Sequence, residues 1–325
     1  MPVMSTLRFV PGMRRFRRGE ALIQFGVHEH RAKILVLPDP KLFPALTVFD
    51  TGRDPKGFRS EAKRHGADPE KAEAFLTVLQ EEGILVDTRT LTTPGGPLTT
   101  ECRALALRGT TTNAGHLMRT RAQATIDIEG QGQLVTTLLT ELTGSGLTRT
   151  RTTATGARTQ AQARSKQARP RPSLSILVDV TRPAGLISYG YRRRGVPYLV
   201  VTRMDGIVRI GPLVTPTTPD GACGNCVELR RRDRGGTGTI PPTFGEDTST
   251  TSTRNEDGNR NGNGNEEELL ERAVRSMAVG ILTAHILTHI DGGRSPLIGA
   301  TIDITPTGIT QPETWTPHPD CGCQT

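Results

Sequence analysis

Thr125-Ile126-Asp127-Ile128-Glu129-Gly130-Gln131-Gly132-Gln133-Leu134-Val135 passes from alternating apolar and acidic residues through a two-glycine turn into a stretch with helical apolar spacing. A strand, a glycine turn and a helix in that order are what a Rossmann-type α/β fold requires. Gly130 and Gly132 let the backbone turn sharply and approach a phosphate at the helix N-terminus. Val135 occupies the third glycine position of that motif. The acid that would hold a ribose about 20 residues further on is missing, because no Asp or Glu occurs from Leu147 through Val178. Asp179, after the apolar run 174–178, stands where an adenylating enzyme places a magnesium-binding carboxylate. Gly130, Gly132 and Asp179 therefore read as remnants of a nucleotide site rather than as a working ATP pocket.

Outward from this turn, short strand-like and helix-like pieces alternate. Residues 134–142 carry helical spacing, and 174–178 and 198–201 are compact apolar runs. Such alternation argues for a parallel α/β sheet in a domain covering 121–325. Residues 233–265, ending in Asn261-Gly262-Asn263-Gly264-Asn265, offer almost nothing to bury and read as a disordered insertion. Order is expected to resume at Glu266 in a helix carrying Leu269, Leu270, Ala273, Val274, Met277 and Ile281, ending near Gly292. His285 and His289 lie at i and i+4 on it without an HExxH glutamate between them, and read as satisfied helical histidines rather than metal ligands.

Residues 1–87 read as a separate winged-helix-like α+β unit. Runs 21–25 and 32–37 flank a polar turn and form a hairpin. Three Asp-Pro pairs (Asp39-Pro40, Asp54-Pro55, Asp68-Pro69) follow, each before a helix-capable stretch, where Asp accepts from free first-turn N–H groups and Pro fits the first helical position. The third helix carries Glu70, Glu73, Glu81 and Glu82 against Lys71, which disfavours insertion into a groove lined by phosphate. A peptide reader would use the edge of strand 32–37, adding an extended segment as a further strand. Candidate contacts are Ile34 and Val36 on the strand, and Phe75 and Leu79 in a cleft against the third helix. Residues 88–120, rich in Thr, Gly and Pro with no sustained period, read as an inter-domain linker holding a bystander thiol, Cys102.

Cys223-Gly224-Asn225-Cys226 and Cys321-Gly322-Cys323 supply four thiols in two close pairs separated by 94 residues. Two pairs from tight turns suit a tetrahedral, closed and therefore structural zinc site with Cys223, Cys226, Cys321 and Cys323 as ligands. Disulfides are the competing reading, disfavoured by the lack of a secretory signal.

The chain has 325 residues, enough for two domains, and a formal charge of +8. That excess is local: Arg149, Arg151, Arg158, Arg164, Lys166, Arg169 and Arg171 cluster without an acid or a base-stacking aromatic, so no nucleic-acid partner is expected. The longest apolar stretch, 277–290, is interrupted by two histidines and falls short of the ~18 residues of a membrane span. A cytoplasmic protein without a membrane partner is expected.

Several runs together carry a family resemblance: Gly195-Val196-Pro197, Gly206-Ile207-Val208, Gly211-Pro212-Leu213, Pro219, Cys223-Gly224-Asn225-Cys226, Asp291-Gly292-Gly293-Arg294, Gly299-Ala300-Thr301 and Trp315-Thr316-Pro317-His318-Pro319-Asp320-Cys321-Gly322-Cys323. They resemble the E1-like (ThiF-type) superfamily, and within it the leader-peptide-binding proteins of thiazole/oxazole-modified microcin and bacteriocin biosynthesis, whose N-terminal domain is PqqD-like. The resemblance is close over 174–232 and from Glu266 onward. It implies a non-catalytic partner that presents a precursor's leader peptide to a YcaO cyclodehydratase, which uses ATP to cyclise Cys, Ser or Thr side chains. It also implies a homodimer, since ThiF-like domains commonly pair. Residues 148–171 depart from the family by lacking its expected strand and acid. An ATP-dependent adenylating enzyme built on Gly130, Gly132 and Asp179 is the alternative.

Overall fold

The computed structural model describes residues 6–91, 100–108, 113–154, 171–180, 182–216, 221–235 and 270–323. The chain divides into two compact units, Met1–Thr120 and Arg121–Thr325.

In the first unit, β1 (Leu7–Phe9) pairs antiparallel with β5 (Leu85–Asp87), and β2 (Arg15–Arg18), β3 (Leu22–Phe25) and β4 (Lys33–Val36) form a three-stranded antiparallel sheet. Among the described residues, the strand order β2-β3-β4 leaves one side of β4 unpaired. Sequence alternation predicted β3 and β4; β2 was missed because Arg-Phe-Arg-Arg buries little and shows no apolar face. Helices α1 (Leu42–Ala45), α2 (Val48–Thr51), α3 (Pro55–Arg64) and α4 (Pro69–Glu81) follow. Asp54 caps α3 by accepting from the Gly57 N–H at 2.8 Å, and Asp68 caps α4 by accepting from Glu70 and Lys71. Asp39 acts differently. Its carboxylate accepts from the Lys41 and Asp68 N–H groups, tying two helix starts together, and these bonds hold its pKa below the ordinary carboxylate value. The core is aromatic-rich: Phe9, Phe25, Phe49 and Phe58 make successive ring contacts at 5.0–5.8 Å, with Ile23, Leu42, Phe75 and Leu79 around them.

The linker reading of 88–120 needs correction. Helices α5 (Thr100–Ala106) and α6 (Ala114–Gln123) occupy much of it, and Cys102, Leu105, Ala106 and Ala114 bury with Val10 and Leu91. The helices are too short for a helical period to emerge between Thr/Gly flanks. Cys102 is fully buried, and burial pushes its thiol pKa up, so it is inert as a nucleophile.

The second unit is a mixed α/β structure. Strands β6 (Thr125–Glu129), β7 (Arg149–Thr153), β8 (Leu174–Val178), β9 (Tyr198–Met204), β10 (Ile207–Val214), β11 (Ala300–Thr305) and β12 (Gly308–Ile309) lie in the order β12-β11-β10-β9-β8-β6-β7, with β13 (Glu313–Thr314) also on β11. Pairing is parallel through β7-β6-β8-β9 and antiparallel from β9 to β12. The expectation of a parallel sheet thus holds for half of it. Strand β7 also corrects the reading that 148–171 lacks a strand: Arg-Thr-Arg-Thr-Thr has no apolar run, but β-branched threonines suit an edge position beside β6.

One face of the sheet is covered by α7 (Gln133–Gly144) and α10 (Arg272–Ile290). Leu134, Val135, Leu138 and Leu142 of α7 pack with Val274, Ala278, Leu282 and Ile286 of α10 over Ile126, Ile128, Ile176 and Val201. By length and composition α10 could cross a membrane, but these residues are buried in the sheet's core. Helix α8 (Ala184–Arg194) covers the other face through Tyr191, which packs with Leu177, Val196 and Tyr198, and it packs in turn against α9 (Gly224–Asp233). The disordered-insertion expectation for 233–265 falls almost wholly outside the described residues, as does most of the basic run 149–171; within the latter, Arg151 pairs with Asp127 at 2.6 Å. Helix α10 begins at Arg272, and 266–269 also lie outside the described residues.

The α6 end and the α10 end meet in a buried ion pair. Arg121 is fully buried and forks onto Asp291 with two bonds of 2.8 and 2.7 Å, while its third nitrogen donates to the Ser145 carbonyl at 3.0 Å.

Candidate metal centre

Cys223 is the N-cap of α9 and Cys226 lies in its first turn, while Cys321 ends a short helical turn, Pro319–Cys321, and Gly322 adopts a left-handed conformation that swings Cys323 back. The sulfurs stand 3.7 Å apart for Cys223–Cys226, 3.5 Å for Cys223–Cys321 and 3.4 Å for Cys226–Cys323, and all four lie within 4.8 Å of one another. No disulfide links them. A tetrahedral ion with metal–sulfur bonds of ~2.3 Å sets its sulfurs ~3.8 Å apart, so this cluster could hold a metal ion. Neighbouring thiol Cys226 and then burial push the Cys223 pKa up to about 12. Burial likewise raises Cys323. A divalent cation bound at this cluster would supply the positive charge that makes four neighbouring thiolates tolerable.

The surroundings bind the C-terminal segment to α9. Trp315 is buried beside Ala222, Cys223 and Val227, donates its indole N–H to Thr301 at 2.9 Å, and lies under the guanidinium groups of Arg231 and Arg234 at 5.0 and 4.7 Å. Arg230 donates to the Pro317 carbonyl and Arg192 to that of Gly322. His318 meets Asp233 at 2.7 Å. Gly299 is required for close approach: at φ +66 a Cβ would come within 3.2 Å of the Ala222 nitrogen. Sequence spacing singled out all four cysteines that the fold brings together here. It missed Ser188, Tyr198 and Asn225, whose polar atoms contact the Cys223–Cys226 turn or Cys321, because a lone serine on a helix and a tyrosine in a strand carry no local signal.

The glycine turn sits at the carboxyl ends of β6 and β8, where the chain order switches direction, the usual crevice position for a ligand in an open α/β sheet. Gly130 and Gly132 have positive φ, and a Cβ on Gly130 would stand 2.7 Å from that of Val178, so glycine there permits the turn to pack on β8. The acids at this end are engaged. Glu129, almost fully buried, pairs with Arg182 at 2.6 Å. Asp179 accepts from the Arg203 backbone N–H at 2.7 Å and pairs with the Arg203 guanidinium. His285 bonds Ser295 at 3.1 Å, and burial lowers the pKa of both His285 and His289.

The four candidate peptide contacts separate. Ile34 and Val36 are open on β4, 52% and 67% exposed. Phe75 and Leu79 are buried in the core at 2% and 0%, so they line no open cleft. Periodicity marked them as apolar but could not distinguish a core face from a binding face.

No family model and no curated protein sequence matches the chain. Solved structures do. MccB of E. coli superposes with a TM-score of 0.58 at 11% identity, covering 98% of this chain and 96% of MccB. The chain shares the fold of MccB. That protein, described as the microcin C7 biosynthetic enzyme, has been solved with N-formylated MccA (TM-score 0.58, 12% identity) and with ATP (0.59, 11%). A heterocyclase in complex with substrate and cofactor matches with a TM-score of 0.63 at 13% identity, over 98% of this chain and 39% of the heterocyclase. Coverage of MccB from end to end means that the likeness includes the first unit as well as the sheet domain.

Proposed function

We propose that the chain is a leader-peptide-binding scaffold of ribosomal peptide modification, presenting a precursor to a YcaO-type cyclodehydratase in the cytoplasm for thiazoline or oxazoline formation. The observation that carries this reading is the edge of β4, unpaired among the described residues, whose Ile34 and Val36 stand open to solvent. An extended leader adding to that edge gains main-chain hydrogen bonds, and its alternate side chains meet the two apolar residues. The first unit would then be the PqqD-like reader. Zinc at the four cysteines would be a closed structural site that fastens the C-terminal segment and activates nothing. The solved complexes of the two matched proteins, a heterocyclase with its substrate and cofactor and MccB with N-formylated MccA, support this reading.

Adenylation of a peptide carboxylate is the second reading, favoured by the end-to-end match with MccB, which has been solved with ATP. The ion pairs of Glu129 and Asp179 weigh against it, since a magnesium-binding carboxylate must be free to take the ion.

The double substitution Ile34→Asp/Val36→Asp tests the edge directly. Both positions are exposed, so stability should change by less than about 1 kcal/mol. Binding of a fluorescent cognate leader should weaken about tenfold or more, equal to about 1.4 kcal/mol. Unchanged affinity would remove β4 as the reader.

A further inference from the structure

We propose that Ser188 and Tyr198 cap helix α9 from outside, so that Cys223 at its N-cap keeps its sulfur for the metal. The inference rests on the metal reading and adds positioning residues to it.

A helix start leaves its first N–H groups unpartnered, and an N-cap Ser, Thr, Asp or Asn ordinarily satisfies them with its side-chain oxygen. Cys223 occupies that position with extended backbone and makes no side-chain cap bond. Its sulfur lies instead against the other thiols, 3.7 Å from Cys226 and 3.5 Å from Cys321. Two hydroxyls from other elements take the task. Tyr198 of β9 accepts from the Gly224 N–H at 3.2 Å, and Ser188 of α8 accepts from the Asn225 N–H at 3.3 Å. The two hydroxyls bond each other at 2.8 Å, and both residues are buried.

The consequence reaches the second cysteine pair. Holding the Asn225 backbone aims its side-chain amide at Cys321, to which Nδ2 donates at 3.1 Å. One hydroxyl pair thereby fixes Cys223 by backbone position and Cys321 through Asn225. Partners that orient ligands in this way commonly contribute tenfold to hundredfold in metal affinity. A cavity of about 250 Å³ lined by Ser188, Tyr198, Asn225, Cys321 and Cys323 gives a chelator a route to the centre.

The test uses the full chain loaded with zinc, challenged by a competing chelator, and the same chain loaded with cobalt, read by its d–d and thiolate charge-transfer bands. Tyr198→Phe keeps the ring and its packing, Ser188→Ala keeps the helix, and Ser188→Thr restores a hydroxyl. Tyr198→Phe and Ser188→Ala should each release zinc at about tenfold to hundredfold lower chelator concentration and shift the cobalt d–d bands, while Ser188→Thr should remain near the parent. Both hydroxyl-deleted variants holding zinc within about twofold of the parent, with unaltered cobalt spectra, would overturn the cap and leave the metal reading standing. A parent chain that binds neither ion would overturn the metal reading and the cap together.

Discussion

Replacing Cys226 by serine should abolish zinc binding by the centre and loosen the C-terminal segment. Cys226 is fully buried between Cys223 and Cys323, and a hydroxyl there is both a poor zinc ligand and an unsatisfied polar group. Metal that binds only the folded chain stabilises it by about 4 kcal/mol when free metal is a thousandfold above Kd. The variant should lose that contribution, which for a domain of this size is a fall in Tm of roughly 10 °C. Chelator should reproduce the fall in the parent and leave the variant unmoved. Protease should then cut first within 313–323, because Trp315 and the carbonyls held by Arg192 and Arg230 depend on the same clasp. Equal Tm values with and without chelator in the parent would show that these thiols hold no structural ion.

The second large effect lies at Arg121. Arg121→Met preserves length and apolar contact but leaves the Asp291 carboxylate, itself mostly buried, without its bidentate partner. Breaking one side of such a pair costs about 3–5 kcal/mol, because the surviving charge remains in a poor solvent. A further substitution, Asp291→Leu, should recover much of the loss, since an apolar pair of similar volume avoids that charge. Thermal unfolding of the two single variants and the double variant measures the coupling. A single variant as stable as the parent would mean that water reaches Asp291 freely.

How much could be read from the sequence depends on how local each signal is. The Gly130–Gly132 turn and the compact run 174–178 announced a strand–turn–helix sheet domain, and strands β6 and β8 lie where those runs predicted. Strand β7 and strand β2 escaped because their pairing partners, not their own apolar pattern, hold them in place. Helices α5 and α6 escaped for a similar reason: each buries only a few residues, and Leu105 or Ala114 becomes core only when Val10 and Leu91 are brought beside them. The cluster of four cysteines was legible because its members come as two closely spaced pairs in the sequence. Ser188 and Tyr198, which act on Cys223 from other elements, left none. The ion pairs that engage Glu129 and Asp179 were equally invisible, since Arg182 and Arg203 reach them only through the sheet's crossing order.

Titrating the purified chain with fluorescent leader peptides of candidate precursors, with and without a YcaO-type cyclodehydratase, and following ATP–pyrophosphate exchange in the same samples, tests the proposed scaffold role most directly. Saturable leader binding, weakened by Ile34→Asp/Val36→Asp and unaccompanied by exchange from this chain alone, is the expected result. No leader binding, together with exchange that disappears in Asp179→Asn, would contradict it and make the chain an adenylating enzyme.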